Sequence, residues 1–266
     1  MRISRSKRLS VNPQRRYHLL TDGNKRSITV ITVILLLVTF DIGFQHIANQ
    51  IYHSLSEVDM GGLLASIFAQ SVMLGFAMIM TAVFIKKGFL ASVLFRKDRR
   101  SPWKFVFGFA LIWPVLLSLT YGLVYLFDHP TWIAIANQPW PQTTTLLSNL
   151  FFQSIFPGLG EEPLYRGFLI VFLMGHLWDT NKTISTRHEN LIILLSATIF
   201  AIAHVSYAFD PFTIFYDSYQ LLTAFVLGSF QAFVFIKTRN LWGSIWIHNV
   251  ANVTMTLFVL LIASIF

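Results

Sequence analysis

The 266-residue sequence contains no cysteine. That absence excludes disulfides, a thiolate nucleophile and cysteine-ligated zinc. Charge is scarce as well: 12% of residues are Asp, Glu, Lys or Arg, about half the share found in soluble domains. Internal repeats and long polar linkers are missing too, so residues 27–266 read as one transmembrane domain behind a basic tail, 1–26. What remains is apolar. The chain is 55% hydrophobic with 26 phenylalanines and a mean hydropathy of +0.60, which excludes a soluble globular enzyme and predicts an all-α, polytopic membrane bundle. The formal charge of +8 does not indicate nucleic acid, because basic residues flanking apolar spans are what orientation in a membrane requires.

Apolar runs of about 20 residues or more, long enough to cross a bilayer, fall near 27–53, 60–85, 105–127, 146–174, 190–208, 213–236 and 241–266. They predict about seven transmembrane helices. With the N-terminus in the cytoplasm, 19 of the 20 lysines and arginines lie in the tail or the inner segments 86–104, 175–189 and 237–240, and the last is Arg166. The outer loops 54–59, 128–145 and 209–212 hold none. That asymmetry supports a multi-pass protein of the cell membrane. The tail is too long for a signal-peptide n-region, so the first span is expected to be retained as an anchor. Residues 86–104 read as a short interfacial helix, and Asp41 and His46 as helix-to-helix hydrogen bonders.

The stretch Gly158-Leu159-Gly160-Glu161-Glu162-Pro163-Leu164-Tyr165-Arg166 sets three ionisable side chains inside an apolar run. A charge at bilayer depth costs from about 2.5 to more than 10 kcal/mol, so such groups persist where they pair or do chemistry. Glu162 and Arg166 are four apart and suit a helical ion pair. Glu161 is turned about 100° away and is free to face something else. The two glycines and Pro157 predict a helix break, with a new helix starting near Glu161 and both carboxylates in its first turn.

Two further spans carry polar groups. Phe200 and His204 share a helix face, with small alanines between them that allow close approach. His248 and Asn252 are also four apart. At 1.5 Å per residue, Glu161 and His204 lie roughly 20 Å from the inner ends of their spans, and His248 and Asn252 roughly 10–17 Å from theirs. The four can therefore converge. Glu, His, His and Asn can activate water and hydrogen-bond an oxyanion.

Glu161-Glu162-x-x-x-Arg166, Phe200-x-x-x-His204 and His248-x-x-x-Asn252, in that order on apolar helices, resemble the three signatures of the CAAX prenyl protease and bacteriocin-processing family of intramembrane endopeptidases. The run from Phe225 and Gly228 through Leu241-Trp242 and Ser244-Ile245 is also similar, and Ala232 stands where relatives often have glycine. The resemblance covers about 145–255. It implies that Glu161 activates water with help from His204, that His248 and Asn252 stabilise the oxyanion, and that Glu162, Arg166 and Phe200 support the site. The implied partners are the lipid bilayer and a membrane-embedded or membrane-associated peptide or protein substrate. Family members are linked to CAAX processing and to bacteriocin immunity, and are described both as metalloproteases and as glutamate-dependent enzymes.

No cofactor follows firmly from the sequence. A divalent metal such as zinc would draw on Glu161, His204 and His248, a His₂Glu set, but the short spacings that pre-form zinc sites on one helix are absent. Catalysis without a tightly held metal gives every residue one task. A silent peptide-binding or immunity protein, or a proton-coupled transporter, would use the same polar residues. The four candidate catalytic residues speak against the first, and the missing repeat against the second.

Overall fold

The computed structural model describes residues 13–55, 62–85, 100–177, 185–209 and 211–265. Among the described residues the chain is a helical bundle with one small hairpin. Helix α1 runs Pro13–Leu55 and α2 runs Leu63–Met80, with a π-helical extension over Thr81–Ile85. Then come α3 (Trp103–Phe127), α4 (His129–Ala136), α5 (Thr143–Glu162), a π segment (Pro163–Phe168) and α6 (Leu169–Leu177). Helix α7 (Thr186–Ile202) leads through a turn into the antiparallel pair β1 (Ser206–Phe209) and β2 (Phe212–Phe215), followed by α8 (Ser218–Thr238) and α9 (Leu241–Ile265).

Among the described residues, five helices are long and apolar enough to cross a membrane: Arg26–Ala48 within α1, Leu63–Ile85, α3, α8 and α9. This is a multi-pass membrane bundle. The other two expected spans are helical in part. The fourth is divided between α5 and α6 by the π segment, and every residue from Glu162 to Ile170 is buried. Shielded by its neighbours, that stretch can hold charges that a lipid-facing helix could not. The fifth ends at Ile202, and residues 206–215, expected to finish one span and begin the next, form the hairpin instead. Tyr207 and Phe209 on one arm, and Phe212, Thr213, Ile214 and Phe215 on the other, favour strands there. At the N-terminus, residues 13–26 form the first part of α1; Pro13 suits a first turn, and the lysines and arginines that follow are good helix formers. Residues 1–12 and the expected interfacial helix at 86–99 lie outside the described residues.

The ends of the bundle sort as the charge pattern anticipates. At one end Arg100 N–H donates to Thr238 O (2.6 Å), and Lys237 Nζ meets Glu189 (2.6 Å), joining three segments read as inner. At the other, the Tyr219 hydroxyl donates to Asp128 (3.0 Å) and ties α8 to the start of α4. Two apolar clusters lie between. One packs Leu164, Phe168 and Phe172 against α1, α2, α7 and α8; the other packs Val106, Phe109, Trp113 and Leu117 against α8 and α9.

Candidate active site

The expected break before Glu161 does not occur. Helix α5 runs straight through Pro157, Gly158 and Gly160, and the two glutamates close it rather than opening a new helix. The irregularity comes one turn later. Pro163 has no N–H to give and its ring crowds the carbonyl four residues back, so the chain widens into a π turn, in which the Leu169 N–H reaches Leu164 O. The glycines serve close approach instead. A Cβ at Gly158 would stand 2.6 Å from Asn249 Oδ1 and 2.7 Å from Ile245 O of α9, and one at Gly160 would run into the side chain of Gln70 on α2. Asn249 also repairs the backbone beside Pro157. It accepts from Gly158 N–H (2.9 Å) and donates to Ile155 O (3.2 Å).

Glu162 and Arg166 sit in the floor of the site, both fully buried. Arg166 Nε lies 3.2 Å from Glu162 Oε2, at an angle that makes the contact electrostatic rather than an aligned hydrogen bond. Its Nη2 donates to Gln231 Oε1 (2.6 Å), and its guanidinium lies 4.2 Å from the Phe200 ring centroid. The cation is thus compensated by a carboxylate, an amide and a ring face. Gly228 makes this possible: a Cβ there would stand 3.1 Å from both Arg166 Nη2 and Phe200. Beside the pair, the Tyr165 hydroxyl donates to both oxygens of Asp41 (3.0 Å each), so Asp41 does bond between helices as expected.

His248 joins the two glutamates. Its Nδ1–H donates to Glu162 Oε1 (2.8 Å), which fixes the ring and turns Nε2 toward Glu161, 3.9 Å from Oε2. Glu161 has 18% of its side chain exposed where Glu162 has none, and its other oxygen accepts from Gln70 Nε2 (3.0 Å). His204 sits just past the end of α7, where Nδ1–H donates to Phe200 O (2.9 Å) and leaves Nε2 as the free nitrogen. Gln45 of α1 holds that turn by donating to Ala203 O and Val205 O (3.0 Å each). Asn252, one turn beyond His248, uses one amide hydrogen on Gln153 (2.9 Å).

Two cavities meet here. One, of about 370 Å³, is lined by His204, His248, Asn252 and Gln231 and reaches Thr131 and Asp217 at the end of the bundle. The other, of about 250 Å³, is lined by Glu161, Asp41, Gln45, Gln70 and His204. Phe200, His204 and Gln220 belong to both. The sequence-derived set is therefore gathered at one place: Glu161, His204, His248 and Asn252 line the cavities, while Glu162 and Arg166 lie beneath. Gln45, Gln70, Gln153, Gln231 and Asn249 went unread in the sequence, and the only signal was that each is an uncharged amide inside an apolar run. Among the described residues no three His, Asp or Glu side chains gather as a metal-ligand set.

A family model described as type II CAAX prenyl endopeptidase Rce1-like matches residues 143–254, from the start of α5 into α9, and this segment contains every candidate residue named above except those of α1 and α2. No curated protein and no solved structure matches the chain. Residues 143–254 of the chain are thus similar to the type II CAAX prenyl endopeptidase Rce1-like family.

Proposed function

We propose that the chain hydrolyses a peptide bond of a membrane-associated peptide or protein, using a water activated by Glu161. The observation that carries this reading is the asymmetry of the glutamate pair around His248: Glu162 is fully buried between His248 and Arg166, while Glu161 is partly exposed and lines a cavity. A water oxygen can stand within hydrogen-bond reach of both Glu161 Oε2 and His248 Nε2, since 3.9 Å separates them. Glu161 takes a proton as that oxygen bonds to the scissile carbonyl carbon. The oxyanion is received by Asn252 Nδ2 and by a proton on His248 Nε2. When the C–N bond breaks, the proton held by Glu161 passes to the leaving amine, with His204 Nε2 beside both cavities to orient the water or relay it. The products are one carboxylate and one amine. The basic end of the bundle faces the cytoplasm of a cell membrane in this reading.

The test is cleavage by purified protein reconstituted in liposomes. The substrates are a library of internally quenched peptides and a prenylated CAAX-terminated peptide, both in ¹⁸O-labelled water. Cleavage that places one ¹⁸O in the new carboxylate is expected. Failure to cut either kind of peptide contradicts the proposal.

A further inference from the structure

Glu161 is held from outside the family-matched segment. Its Oε1 accepts from Gln70 Nε2 at 3.0 Å, and Gln70 lies on α2, 91 residues away. The orientation of that amide is decided by chemistry, because an ionised carboxylate only accepts and the nitrogen must face it. The consequence is a cost. Gln70 Oε1 is left buried without a hydrogen-bond partner, and such groups in native structures call for a reason. The contact is also built from both sides: position 160 is glycine, and any Cβ there would collide with the Gln70 amide. Helix α2 offers no second donor to Glu161, being otherwise apolar apart from Ser66 and Ser71.

We infer that Gln70 is a positioning residue for catalysis, and that Gly160 is small in order to admit it. By holding Oε1, Gln70 fixes the rotation of the carboxylate and keeps Oε2 pointed at His248 Nε2 and the cavities. Without it the carboxylate swings freely about its last torsion, and an attacking water loses its alignment. This rests on Glu161 being the base.

The experiment compares kcat and KM for the quenched peptide that the wild type cuts fastest, together with the thermal midpoint of each variant in detergent. Gln70→Met keeps the volume and removes both polar atoms; Gln70→Glu keeps the shape and exchanges the donor for an acceptor. Each is expected to lower kcat about 10- to 100-fold, the scale of a misplaced reacting group, with KM within about twofold. Gly160→Ala should reproduce that fall in the wild type by displacing Gln70. In a Gln70→Ala background, where nothing remains to collide with, the same Gly160→Ala change should cost no more than about a further twofold. Equal cost in both backgrounds, or a loss that follows only the folded fraction, overturns the inference. Wild-type kcat in Gln70→Met beside an inactive Glu161→Gln also overturns it and leaves the parent reading intact. A wild type that cuts no peptide, or an active Glu161→Gln, removes both.

Discussion

The floor and the wall of the site are one residue apart in sequence and built in opposite ways. In the floor, Glu162 and Arg166 are fully buried and meet each other, His248, Gln231 and the Phe200 ring. In the wall, Glu161 is partly open, meets one amide and keeps one oxygen facing His248 across 3.9 Å. Adjacent glutamates thus separate two tasks that one carboxylate would do badly. A carboxylate sealed against a buried guanidinium is out of a substrate's reach, and one open to the cavities is poorly placed to neutralise that guanidinium. The lesson is that burial and the choice of partner distinguish a bracing charge from a reactive one.

The largest effect is expected where floor and wall meet. His248→Ala removes the ring that touches both, and should lower kcat by about 10²–10⁴-fold while also lowering the thermal midpoint; a variant that loses only one of the two would break the comparison. Arg166→Met should act on the floor alone. Stranding Glu162 as a buried unpaired charge costs about 3–5 kcal/mol, read as a fall in thermal midpoint, with turnover per folded molecule retained within a few-fold. Adding Glu162→Gln to Arg166→Met should restore part of that stability. Asn252→Ala acts on the wall and removes one oxyanion donor of two, so a fall in kcat of about 10²-fold with an unchanged midpoint is expected.

The smallest effect lies at the cavity mouth, where Asp128 accepts from the Tyr219 hydroxyl and from Thr131. These bonds, Tyr219 first, hold the Asp128 carboxyl below its ordinary 3.8. A depressed folded-state value stabilises the fold above the unfolded value, and the gain is lost as pH falls through the folded one. Acid titration below about pH 4 should therefore loosen this clasp in the wild type. In Tyr219→Phe a smaller part of the acid-induced change in midpoint should remain.

Much of this arrangement can be read from residue patterns, and the exceptions have physical causes. Hydropathy and the lysine and arginine asymmetry predict a membrane bundle because a bilayer imposes length and composition on every lipid-facing helix. The Glu161, Glu162 and Arg166 cluster is legible because charge in such a run is expensive. The helix break is misread because Pro157 and two glycines look like a breaker. Neighbouring α9 and α2 fill the space the glycines leave, while Pro163 is absorbed as a π turn that no local rule distinguishes from a normal first turn. The hairpin at 206–215 straddles the expected loop 209–212, and its arms read as the ends of two apolar runs. Gln45 and Gln70 are invisible for a different reason: their roles exist only once α1 and α2 are packed against α5 and α7, and sequence spacing does not encode that contact.

The division of labour between the two glutamates is tested most directly by Glu161→Gln and Glu162→Gln, purified side by side and assayed for thermal midpoint and for kcat per folded molecule. Glu161→Gln should keep the wild-type midpoint and lose about 10²–10⁴-fold in kcat. Glu162→Gln should lose midpoint first, with a smaller loss of turnover in the molecules that remain folded. The reverse pattern, a destabilised Glu161→Gln that still turns over and a stable Glu162→Gln that does not, would contradict the account.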